Sequence, residues 1–181
     1  MYQIRIHGRG GQGVVTAAEL IAIAAFIDKK EAQAFPSFGV ERTGAPIEAY
    51  ARISDQFIKT REQIYHPDVL IVQDSTLLDA IDVAHGCNEK TLVIINTSKS
   101  KGELKINIPK ENIFTIDATK IALEIIGKNL ANTVILGAFA KATGLVSLSS
   151  LKLAINEKFG EKGKEIVEKN IKAITTAYNN S

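Results

Sequence analysis

At 181 residues, with 45% hydrophobic and 23% charged residues, the chain is long enough for one compact domain and too short for two full-sized ones; the same composition excludes disorder. A formal net charge of +2 is too small for a general nucleic-acid binder, and a lone cysteine, Cys87, excludes an internal disulfide and any zinc or iron–sulfur site built on thiolates of this chain alone. The longest apolar stretch, residues 14–27, is broken by Thr16 and Glu19, and no charged leader precedes a cleavage site, so the expectation is a cytoplasmic protein with no membrane span.

Residues 2–7 alternate as a strand and run at once into Gly8-Arg9-Gly10-Gly11-Gln12-Gly13, after which an Ala/Ile/Leu-rich helix is predicted to residue 27. A second strand is expected over 31–35. Residues 46–53 carry apolar side chains at Ile47, Ala49, Ala51 and Ile53, the pattern of a half-exposed strand at the edge of the sheet that runs against the others. Short apolar runs at 69–73, 92–96 and 113–116 read as further strands, with a helical pattern over 75–84 between the first two. From residue 118 onward the pattern is helical, over 118–126, 132–143, 149–159 and 161–178, with Gly127, Gly144 and Gly160 as stops and Asn132 and Ser149 or Ser150 as N-caps. Strands alternating with helices predict an α/β fold, Rossmann-like and doubly wound, with a mostly parallel sheet, helices on both faces and a helical C-terminal third. No repeat or linker divides it, and residues 1–181 are expected to form a single domain.

The charge is unevenly placed. Residues 1–61 hold eight basic and six acidic residues, including all five arginines (Arg5, Arg9, Arg42, Arg52, Arg61), while the remaining 14 basic and 14 acidic residues balance. Arginine is favoured where a planar fork must grip phosphate or carboxylate, which points to the N-terminal third as the recognition region.

Two constellations lie there. Gly8, Gly10 and Gly13 satisfy G-x-G-x-x-G between a strand and a helix, where backbone N–H groups can cradle a pyrophosphate. A dinucleotide site would also need an acid at the end of the second strand, which instead ends Phe35-Pro36, so a turn admitting close approach by a ligand or another chain competes with a purely structural turn. The second is Phe35-Pro36-Ser37-Phe38-Gly39-Val40-Glu41-Arg42-Thr43-Gly44-Ala45-Pro46, a loop expected to emerge beside the first and to bring Arg9 and Arg42 to one crevice, with its phenylalanines needing a partner surface. His7, His66 and His85 have no metal-ligand spacing and read as structural; Asp74 and Asp117 read as helix caps; Cys87 has no basic neighbour in sequence to make it a nucleophile. No catalytic residue and no metal ligand is nominated.

Together, residues 7–13 and 33–46 closely resemble the gamma subunit of 2-oxoacid:ferredoxin oxidoreductases, most of all that of the pyruvate enzyme. The likeness continues through 68–74, 94–96, 116–119 and 132–138; Thr43 departs from it, standing where a second arginine is expected after Glu41-Arg42. What the resemblance implies is a subunit of an enzyme that decarboxylates a 2-oxoacid on thiamine diphosphate, passes electrons through 4Fe–4S clusters to ferredoxin and releases an acyl-CoA. Thiamine diphosphate, its magnesium ion and the clusters would then sit on alpha, beta and delta partners, and this chain would bind no nucleic acid or membrane. Under that reading Arg9, Gly10, Gly11, Gln12, Gly13, Ser37, Gly39, Glu41 and Arg42 form the surface that meets the partner subunits and the phosphates of CoA. The open alternatives are a 2-oxoisovalerate or 2-oxoglutarate enzyme, a free-standing nucleotide-binding module, and a structural subunit that binds nothing small.

Overall fold

The computed structural model describes residues 1–37 and 42–181. Six strands form one sheet: β1 (Tyr2–Arg9), β2 (Glu31–Pro36), β3 (Pro46–Ser54), β4 (Val69–Val72), β5 (Leu92–Asn96) and β6 (Ile113–Ile116), in the order β2-β3-β1-β4-β5-β6. β1, β4, β5 and β6 run parallel, and β3 is antiparallel to both of its neighbours. The α/β architecture and the mostly parallel sheet agree with the sequence reading.

β3 is antiparallel as expected but is not the edge. It lies between β2 and β1, paired along its length from Tyr2↔Ile53 to Arg9↔Pro46, and β2 takes the edge, where Pro36 costs no ladder bond. Its alternation was a poor guide to exposure for a physical reason. Ala49, Ala51 and Ile53 face the main core, and the opposite side chains, Tyr50 and Arg52, are equally buried. The segment after β3 crosses over them: Arg52 Nη2 donates to the Glu62 carbonyl, and Gln33 Nε2 donates to the Ile58 carbonyl at 3.3 Å.

The two faces of the sheet are covered differently. All five helices, α1 (Val14–Ile27), α2 (Ala118–Ile125), α3 (Ala131–Thr143), α4 (Leu148–Phe159) and α5 (Lys164–Asn179), pack in one aliphatic core against Ile4, Ile6, Val69, Ile71 and Ile94. The other face, Leu70, Val72, Val93 and Ile95, is covered by Leu77, Val83 and Ile108 from the connections between strands. Against the expectation of helices on both faces, among the described residues the α-helices lie on one face, and the second face is covered by a 3₁₀ turn and loops. The helix expected over 75–84 reduces to a 3₁₀ turn, Ser75–Asp79, beyond which the carbonyls of Val83 and His85 turn toward the buried Arg5 guanidinium.

Capping moves by a residue or two. Asn132 lies inside the first turn of α3, whose N-cap is Leu130, and the Asn132 amide donates to the Gly13 carbonyl at 3.2 Å. α4 is capped by Ser147, whose hydroxyl accepts from Ser150 N and, with the Ser150 hydroxyl, donates to Asp28 at the end of α1.

Candidate functional site

The carboxyl ends of β1, β4, β5 and β6 meet the N-termini of α1, α2 and α3, the place where an open α/β sheet holds its ligands. The turn from β1 into α1 is tightened by Gln12 N donating to the Arg9 carbonyl at 2.9 Å, and Gly13 caps α1 at φ 70°, a left-handed conformation that glycine adopts without strain. The expectation that the two loops converge holds at the level of backbone. Gly10 bridges to Thr43 in parallel, its N–H donates to the Ala45 carbonyl at 2.9 Å, and its carbonyl accepts from Gly44 N at 3.0 Å. A Cβ on Gly10 would drive into the Arg42 carbonyl, so only glycine permits this approach.

The side chains are used otherwise than their types suggested. The Arg9 guanidinium is turned inward: Nε donates to Asp74 Oδ2 at 3.1 Å, Nη1 to the Gly44 carbonyl at 3.0 Å and Nη2 to Thr76 Oγ1 at 2.8 Å. Gln12 is also held, its Oε1 accepting from Arg9 N at 2.8 Å and its Nε2 donating to Asp74 Oδ2 at 3.0 Å. Asp74, read from sequence as a cap, does cap the 3₁₀ turn by accepting from Thr76 N, but it also gathers Arg9 and Gln12. Burial opposes its charge, yet the hydrogen bonds from Thr76 and Gln12 and the nearby Arg9 outweigh it and hold the carboxyl below its ordinary value. Arg42 is exposed, and so is Gly11, at φ 90°. Ser37 is half-buried, its N–H donating to the Glu48 carbonyl at 3.0 Å. Gly39 and Glu41 lie outside the described residues.

Two crevices share Gln12 and Asn132 in their walls, next to the hydrogen bond between Asn132 and Gly13. The first, of about 400 Å³, is lined by polar groups from the strand ends and the loops beyond, including Gln73, Asn96, Thr97 and Lys99. Asn96 is fully engaged, donating to the Gln73 carbonyl and Thr119 Oγ1 and accepting from Thr119 N. Gln73 is 3% exposed, and among the described residues neither its amide nitrogen nor its oxygen has a hydrogen-bond partner. The second crevice, of about 540 Å³, opens on the other side, between Gly11, Gly13 and the start of α5. It combines Ile126, Leu130 and Phe159 with Lys128, Lys162 and Lys169, and Asn170 on its wall, 1% exposed, leaves Oδ1 without a partner. Sequence reasoning missed both amides. Gln73 offered a signal, a polar residue ending an apolar strand, whereas Asn170 sits among helix-surface residues and offered none.

Burial also shifts His7 and Cys87 away from their charged forms. His7 is buried on β1, where desolvation, opposed by Glu48, lowers it to about 4, so it is neutral near pH 7. The Cys87 thiol is pushed up by burial, the reverse of an activated nucleophile. Among the described residues no three His, Cys, Asp or Glu side chains are grouped as metal ligands. No helix among the described residues is long and apolar enough to cross a membrane.

Fold and site together define a Rossmann-like α/β subunit with a polar ligand edge and a backbone platform of two joined loops. The chain belongs to the pyruvate ferredoxin/flavodoxin oxidoreductase family, whose profile matches residues 3–180, and within it to the gamma subunits. It is 54% identical over 155 residues to pyruvate synthase subunit PorC of Methanosarcina barkeri, covering 86% of this chain and 85% of that one. It is 53% identical to the pyruvate/ketoisovalerate oxidoreductases common subunit gamma of Thermococcus kodakarensis, covering 99% and 96%. The crystal structure of pyruvate oxidoreductase subunit PORC from Thermotoga maritima matches with a TM-score of 0.85 at 36% identity, covering 98% and 95%. The fold also recurs in 2-oxoglutarate:ferredoxin oxidoreductase from Magnetococcus marinus, solved with 2-oxoglutarate, coenzyme A and succinyl-CoA bound: TM-score 0.75, 24% identity, 98% of this chain and 30% of that one. Enzymes of this family use thiamine diphosphate and iron–sulfur clusters, and the chain is a subunit of such a multisubunit oxidoreductase.

Proposed function

We propose that this chain is the gamma subunit of a pyruvate:ferredoxin oxidoreductase, working as one domain in the CoA-dependent oxidative decarboxylation of pyruvate to acetyl-CoA and CO2. Thiamine diphosphate and the clusters, carried by alpha, beta and delta partners, supply the decarboxylation and the electron transfer to ferredoxin. This chain contributes a wall. Its joined loops, residues 8–13 and 42–46, present Arg42 to the partner subunits and to the phosphates of CoA, and the second crevice adds Lys128, Lys162 and Lys169 beside an apolar slot. Within that wall Arg9 and Gln12 brace the platform, the outward groups are Gly11, Arg42, Lys128 and Lys162, and Lys169 is paired with Glu165 at 2.6 Å.

The observation that carries this reading is the backbone union of Gly10 with residues 43–45, an exposed surface beside a crevice that Lys128 and Lys162 line, in a chain of this family. Arg42→Ala in the assembled enzyme is expected to raise the apparent KM for CoA or weaken assembly. An unchanged complex with unchanged kinetics would count against it. A specific likeness favours a second substrate: the Thermococcus kodakarensis relative is a subunit common to pyruvate and ketoisovalerate enzymes. Sharing of this chain between two enzymes is expected to appear as its co-purification with two distinct sets of partners.

A further inference from the structure

Asp74 receives donors on both carboxylate oxygens, and on each oxygen one donor, the Arg9 guanidinium or the Thr76 backbone N–H, cannot reverse its role. Oδ2 accepts from Arg9 Nε at 3.1 Å and Gln12 Nε2 at 3.0 Å; Oδ1 accepts from the backbone N–H of Thr76 at 3.0 Å and from its hydroxyl at 2.6 Å. Its partners bind onward. Arg9 reaches the Gly44 carbonyl and Thr76 Oγ1, and Gln12 Oε1 receives the Arg9 N–H. One side chain at the end of β4 therefore ties together the turn after β1, the loop before β3 and the turn after β4.

We infer that Asp74 is the ionic positioning residue of the docking platform, holding residues 8–13 and 42–46 in one geometry through Arg9 and Gln12. The role rests on the reading of that platform as the surface facing partner subunits and CoA. It differs from a capping role in a way the hydrogen bonds make testable. At an N-cap, asparagine serves about as well as aspartate. Here it does not: an amide turned with its NH2 toward Arg9 sets two donors face to face, and turned the other way it opposes the Thr76 backbone N–H. The Thr76 hydroxyl can reverse, but the guanidinium and the backbone N–H cannot. Gln12 cannot relieve the conflict by flipping, because its oxygen is committed to Arg9 N. Only a group with two acceptor oxygens satisfies the site, and its charge balances an arginine 28% exposed.

The test is Asp74→Asn, with Asp74→Glu as the conservative partner, in the assembled enzyme. Hydrogen exchange over residues 8–13 and 42–46 is compared with exchange over α3 and α5, together with kcat and the KM for CoA. Asp74→Asn is expected to speed exchange in the two loops at least tenfold while leaving the helices unchanged, and to raise the KM for CoA about three- to tenfold with kcat within twofold. Asp74→Glu should recover part of both losses. Wild-type exchange in Asp74→Asn would overturn the inference and leave a cap. If Asp74→Asn does not assemble, Arg9→Gln tests the same tie, and wild-type loop exchange there overturns it equally. Loosened loops with unchanged KM and unchanged assembly end the positioning role; if Arg42→Ala is also silent, the reading of the platform is what fails.

Discussion

The joined loops and the two crevices beside them contain the same kinds of residue and use them oppositely. Where the loops meet, the inward polar side chains are engaged: Arg9 makes three bonds from its guanidinium, Gln12 two and Asp74 four. In the crevices Gln73 and Asn170 are as deeply buried as the core and leave amide atoms without partners. A satisfied buried group stabilises the fold that surrounds it, whereas an unsatisfied one burdens the fold and gains a partner only from outside. The difference separates side chains engaged with one another from side chains that keep unpaired atoms among the described residues, and Arg9 is among the first.

Four substitutions try this contrast. The largest effect is expected from Gly10→Ala, whose Cβ has the Arg42 carbonyl in its way; parting the loops should cost about 3 kcal/mol in urea unfolding, at the upper end for overpacking a tight contact. Next is His7, whose ring nitrogens have no hydrogen bond among the described residues, with the Glu48 carboxylate 3.7 Å away. Its folded value of about 4 lies below the ordinary 6.5, so the unfolded chain binds the proton first. Stability should be full above about pH 6.5 and fall toward pH 4, by at most about 1.4 kcal/mol per pH unit, and His7→Phe should flatten that slope. A slope that persists in the variant would assign it to other groups.

Asp28 is a satisfied hub like Asp74, accepting from Ser147 N and from the Ser147 and Ser150 hydroxyls. Burial opposes its charge, but those bonds hold its carboxyl below the ordinary value, so its contribution is present above that value and is lost as pH falls through the folded one. Asp28→Ala should cost about 1–2 kcal/mol at neutral pH, the range of a lost cap, measured by the shift in urea midpoint. The smallest effect belongs to Gln73→Met, which removes an unpartnered amide at similar volume; the stability change should lie within about 0.5 kcal/mol or favour the variant. A cost above 2 kcal/mol would mean that the amide is paired and the contrast is drawn in the wrong place.

The glycine motif was legible because its physics is local: a strand, glycines permitting close approach and positive φ, then a helix. β3 was legible in direction and not in position, since alternation records which side chains differ and not what lies over them; Tyr50 and Arg52 are covered by a segment with little pattern of its own. The 75–84 stretch had a helix's periodicity, but its carbonyls beyond residue 82 meet Arg5, 78 and 80 positions earlier in the chain. The site followed the same rule. Sequence marked residues 8–13 and 42 as the region of interest and could not say which arginine was spent.

By itself, the sequence determined the α/β class, the strand–turn–helix unit at the front, the helical last third and the family, because each rests on short-range pattern or on long motifs in order. Tertiary structure alone decided that β2 is the edge, that the helices share one face, that Arg9 is turned to Asp74, and that Gln73 and Asn170 lack partners. Hydrogen-bond satisfaction is a property of neighbours brought together across 65 or 119 positions, as with Arg9 and Asp74 or Gly13 and Asn132, and no local pattern records it.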